Sequence, residues 1–134
     1  MSEGVPVEIS VEVSPGELID KITILEIKLE RIQDEEKLKN IKREWETLTH
    51  ARDRHIKPSA ELDRLTAALK KSNESLWRTE DDIRDCEREN DFGDKFIELA
   101  RGVYKNNDKR SELKRKINGL LGSRLIEEKS YAAY

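Results

Sequence analysis

From Ser14 to Gly122 the apolar residues recur at steps of three and four, the spacing of one helix face. The first run is Leu18, Ile22, Leu25, Leu29 and Ile32. It opens with Ser14 as N-cap, Pro15 at the first helical position and Glu17 closing a capping box. Gln33 and Asp34 break the run, and Asp34 caps a second one through Leu38, Ile41, Trp45 and Leu48. Pro58 ends that helix near Arg54, because the residue before a proline resists helical geometry. Ser59 caps a third run through Leu62, Leu65, Leu69, Ser72, Leu76, Ile83 and Cys86, and "NDFGD" stops it. The fourth carries Phe96, Ala100, Val103, Leu113, Ile117 and Leu120 before Gly122, a helix-ending glycine. Ahead of all four the period changes to two: Val5, Val7, Ile9, Val11 and Val13 alternate with other residues and predict a short strand.

The expected fold is therefore mainly α. It is an antiparallel four-helix bundle, or a pair of helical hairpins, with a short N-terminal β-strand. Residues 1–134 form a single domain, divided into an extended arm (1–13), a helical bundle (14–122) and a C-terminal tail (123–134). Short connections make successive helices antiparallel neighbours. Counting outward from the first turn pairs Leu29 with Leu38 and Ile22 with Trp45. Around Pro58, Leu48 should face Leu65 and Trp45 should face Leu69. Around Phe92, Trp77 falls near Asn107 and Glu80 near Tyr104. Leu125 and Ile126 in the tail are positioned to add a strand to the arm. An unpaired strand and an overhanging helical tip both expose surface that needs cover, which predicts a homodimer.

Two polar constellations carry whatever chemistry the chain has. Glu80, Asp81, Arg84, Tyr104, Asn107, Asp108 and Arg110 fall into one predicted layer, with Trp77 as its apolar wall. It reads either as an ion-pair network that fixes helix register or as a small polar pocket. At the opposite end, Ser14 and Gly16 open helix 1 close to His50, Arg54 and Lys129, an arrangement that attracts an anion to free helical N–H groups. His50 and His55 are five apart and lie on different helix faces, so they make no metal site, and no other cluster has metal-ligand spacing.

Composition narrows the classes. Of 134 residues, 41% are charged and 35% hydrophobic, which fits slim helices with wide solvated faces. A net charge of -3 without a basic stripe argues against nucleic acid, and no apolar run approaches a membrane span. Cys86 is the sole cysteine and "MSEGVPVEIS" is not a signal peptide, so a reducing, cytoplasmic setting is expected. There is no glycine-rich phosphate loop, nucleophile elbow or Cys–His pairing, so no cofactor is expected and the reading leans away from an enzyme.

"VSPGELIDKITILEIKLERI" at Val13–Ile32, "LWRTEDDIRDCE" at Leu76–Glu87, "FIELARGVYKNNDKR" at Phe96–Arg110 and "EEKSY" at Glu127–Tyr131 resemble a small bacterial domain family of unknown function, numbered 6165. "LWRTEDDIR" and "NDKR" also look like motifs of a second uncharacterised helical bacterial family. Both tend to be encoded near glycosyltransferases of surface polysaccharide and lipopolysaccharide. The resemblance implies a setting in cell-surface glycan assembly and no catalytic residue. Two function classes follow. One is an accessory or scaffold protein that binds a glycosyltransferase or another glycan-assembly partner. The other is a small all-α enzyme or binding protein for a phosphorylated or carboxylated sugar-related metabolite.

Overall fold

The computed structural model describes residues 4–134. Four helices follow the predicted starts and stops: α1 (Pro15–Arg31), α2 (Glu35–His55), α3 (Ala60–Arg88) and α4 (Asp94–Leu120). The Ser14 hydroxyl accepts from the Glu17 amide, Asp34 accepts from Glu36 and Lys37, and Ser59 accepts from Leu62. Each cap relieves an amide that lacks a helical partner. Two helix ends close in left-handed geometry. Asn90 (φ 56°) stops α3, with the Asp91 amide returning to Cys86 O, and Gly122 (φ 67°) follows α4, with the Ser123 amide returning to Asn118 O.

The assembly differs from a ring of four helices. α1 packs against all three others, whereas α2 packs on α1 alone. The expected α2–α3 contacts, Leu48 on Leu65 and Trp45 on Leu69, are therefore not made. The reason lies in α2. Leu38, Ile41, Trp45 and Leu48 make one narrow stripe, each only half-buried, and Thr49 is the helix's one fully buried residue. One stripe covers one neighbour. α1 instead buries Ile19, Ile22, Thr23, Leu25 and Ile27, which point to several sides at once. The main core joins Ile19 of α1 to Leu62, Leu65 and Leu69 of α3 and to Leu113 and Ile117 of α4.

The arm is also not as expected. Residues 5–13 lie in no helix or strand, and no strand occurs among the described residues. Val5 (89% exposed), Val7, Ile9 (82%) and Val11 all stand in solvent. The tail forms no strand with them. It turns back along α4 instead: Glu127 pairs with Lys114, Glu128 with Arg115, and the Tyr134 ring meets Tyr104 edge-on, with centroids 5.1 Å apart. Arm and tail touch through the Glu12–Arg124 ion pair.

Candidate functional site

The centre of the polar chemistry is Asp20, which the sequence reading did not single out. Its side chain is 1% exposed. Arg110 clamps it from α4, with Nε donating to Oδ1 at 2.9 Å and Nη2 to Oδ2 at 2.5 Å. From α3, Asn73 Nδ2 donates to Asp20 Oδ1 at 2.9 Å and to Thr23 Oγ1 at 3.0 Å. The Thr23 hydroxyl in turn donates to the Asp20 carbonyl at 2.8 Å. The carboxylate holds the Arg110 guanidinium above its usual range, against the cost of burial. A buried charge is tolerated when it is paired and hydrogen-bonded in this way. No buried side-chain nitrogen or oxygen among the described residues lacks a partner.

Asn73 and Arg110 of this layer also line a cleft of about 330 Å³ between α1, α3 and α4. Ile24, Ile27, Leu76 and Trp77 supply its apolar wall, and Glu80, Asp81, Arg84 and Arg110 its charged rim. Five of the eight residues expected in one polar layer therefore do meet. Their pairing is different, however. Glu80 bonds Arg84 on its own helix at 2.6 Å, in an exposed i,i+4 pair, and Arg110 turns away to Asp20. The cause is helix register. Asn106 of α4 lies against Ser72 and Ser75 of α3, about one turn from the alignment that the Phe92 turn implied.

Tyr104, Asn107 and Asp108 fall on another face. There they line a groove of about 420 Å³ with Val103, Lys129, Tyr131 and Tyr134. Hydrogen bonding to Asp108 pushes the Tyr134 hydroxyl pKa up. This groove is made by the chain's own tail.

The expected anion site does not assemble. The Gly16 amide donates to Asn118 Oδ1 at 2.7 Å and the Glu17 amide to Ser14, so these helical N–H groups are already taken. A Cβ on Gly16 would come within 2.5 Å of Lys114 O, so α1 and α4 meet here backbone to backbone. Lys114 Nζ lies 2.9 Å from both Glu17 and Glu127. Burial opposes its charge, but the two carboxylates outweigh that and raise its pKa. His50 and Arg54 are exposed and make no side-chain bond to the described residues, and Lys129 sits over Tyr131.

A signal for Asp20 exists in the sequence. Gly16, Asp20, Thr23 and Ile27 form a second stripe on α1 at steps of four, three and four. It runs beside the apolar seam and is legible only once α1 is known to be covered on several sides.

No helix among the described residues is long and apolar enough to cross a membrane. No curated protein and no solved structure matches the chain significantly. A family model does match, over residues 9–134, a span that holds all four helices, the cleft and the tail. On that match the chain belongs to the family of unknown function DUF6165.

Proposed function

We propose that the protein is a non-catalytic accessory or scaffold component of cell-surface polysaccharide assembly, acting as a homodimer and docking on a glycosyltransferase or another assembly protein in the cytoplasm. The observation that carries the docking role is the arm. Four of its five alternating apolar side chains are more than 70% exposed, and the fifth, Val13, is 46% exposed. An extended segment with free backbone groups and apolar side chains at every second position is the form in which strand addition to a partner begins. The glycan setting rests on the resemblance described above.

Capture with the full chain as bait tests this reading. A glycosyltransferase or other glycan-assembly protein should be recovered with the natural sequence and lost with Val7→Asp/Val11→Asp. Recovery that ignores the arm variant, or recovery of none of these proteins, rejects it.

The cleft favours a second reading, a binding protein for a sugar-related metabolite. Trp77 gives a flat apolar wall beside Asn73, Glu80, Asp81 and Arg110. The charges do not favour a phosphate or carboxylate there. Asp20 already neutralises Arg110 and Glu80 neutralises Arg84, so on the lining Asp81 stands against the Arg31 guanidinium, which lies over the Trp77 ring at 6.0 Å. Stabilisation by several degrees with a sugar phosphate or nucleotide sugar would nevertheless establish this reading, since ligand binding raises native-state stability.

A further inference from the structure

We propose that the arm pairs antiparallel with the arm of a second copy, in one register centred on Ile9. This rests on the dimeric accessory reading and specifies how the two copies meet.

The arm is self-complementary. Residues 5–13 read V-P-V-E-I-S-V-E-V, so apolar positions are placed symmetrically about Ile9. An antiparallel pair centred there sets Val5 against Val13, Val7 against Val11 and Ile9 against its own copy. The same register sets Glu8 against Ser10 and Glu12 against Pro6, so no carboxylate directly opposes another. The nearest competing registers fail on charge or on face, and a four-residue slip pairs fewer residues. Parallel in-register pairing opposes Glu8 to Glu8 and Glu12 to Glu12. A two-residue antiparallel slip opposes Glu8 to Glu12 in one direction and Glu8 to Glu8 in the other. Like charges directly opposite destabilise a pair. A one-residue slip moves apolar side chains opposite polar ones.

Pro6 fixes the remaining choice. In an antiparallel pair, alternate residues exchange both backbone hydrogen bonds. If the odd positions exchange them, Pro6 sits where its nitrogen points outward and the missing N–H costs nothing. One face of the ribbon then carries ten apolar side chains, five from each chain, and the other carries Pro6, Glu8, Ser10 and Glu12 of each chain. A two-stranded ribbon is marginal by itself. Leu120 (43% exposed) at the end of α4 and Ile126 (56%) in the tail, which Glu12–Arg124 ties to the arm, are exposed apolar side chains on which the ribbon can rest.

Spin labels on Val5→Cys, Ile9→Cys and Val13→Cys, each in the full chain, test the register. Cys86 is 1% exposed, so labelling falls on the introduced thiols. Position 9 should show strong dipolar broadening, from Cα atoms about 5.5 Å apart across the pair. Positions 5 and 13 should both report roughly 27 Å, eight residues at about 3.4 Å each. Ile9→Pro removes a ladder donor from each chain and should convert the dimer to monomer by light scattering, with the helical circular dichroism unchanged. Short distances at all three positions, no coupling at position 9, or an Ile9→Pro protein that stays dimeric would each overturn the proposal. A monomeric natural protein would overturn it together with the homodimer of the accessory reading, while the capture experiment would still decide the docking role.

Discussion

Arg110 and Asp20 show how much depends on the placement of one residue. Both carboxylate oxygens are held, and among the described residues Arg110 is the one ion-pair partner of the buried charge. Arg110→Met should therefore cost on the order of 3–5 kcal/mol, because it strands a buried carboxylate. Glu80→Gln breaks an exposed pair and should cost under about 1 kcal/mol. Urea denaturation of the two variants gives this ranking directly, and equal midpoints would contradict it. Gly16 is a third sensitive position. Gly16→Ala pushes a methyl into the Lys114 carbonyl, so it should lower stability by about 1–3 kcal/mol, as overpacking generally does. A thermal melt measures the loss.

At the scale of elements, the tail is held by charge and the pH range of that hold follows from two shifted groups. Hydrogen bonding to Lys114 lowers the pKa of Glu127 below its usual 4.5. A lowered carboxylate pKa contributes stability above the unfolded value, and that contribution fades as pH falls through the folded one. Lys114, raised above 10.5, contributes below that value and loses its contribution as pH rises through the folded pKa. The tail should therefore stay docked on α4 between about pH 5 and 10 and loosen below about pH 4, which nitrogen-15 relaxation of residues 123–134 would show. Lys114→Met should abolish that pH dependence. The helices themselves were legible in the sequence because their signals are local: Ser14, Asp34, Ser59 and Gly122 mark ends that the structure keeps. The α3–α4 register was less so, because Asn90 and Asp91 close the turn earlier than a count centred on Phe92 allows. α2 and the arm misled for a shared reason. A periodic stripe predicts that a segment has an apolar side, and says nothing of which element, or which molecule, meets it.

For the whole molecule, α1 is the one helix that every other helix touches. α2, bound along one side and mostly charged on the other, is the element with the least to lose by detaching. Native-state hydrogen exchange should find α2 opening at lower free energy than α3, α4 or α1. Similar protection in all four would show that the turn through Ile56, which packs on the core, holds α2 as firmly as burial would. The mass in solution is the simplest measurement at this scale. Light scattering at micromolar concentration should give twice the chain mass of 15.6 kDa.

The central place of α1 has a kinetic consequence. The helix needed by all the others is the first one made, yet the arginine that neutralises its buried aspartate lies 90 residues further along. Until α4 arrives, Asp20 has to remain hydrated, so α1 and α2 can form a local hairpin but cannot close the interior. Closure is then a late event, the docking of one hairpin on the other. Contacts absent from the barrier state govern escape more than entry. Disrupting Asp20–Arg110 should therefore quicken unfolding several-fold while leaving the refolding rate nearly unchanged, as the two arms of a chevron plot would display.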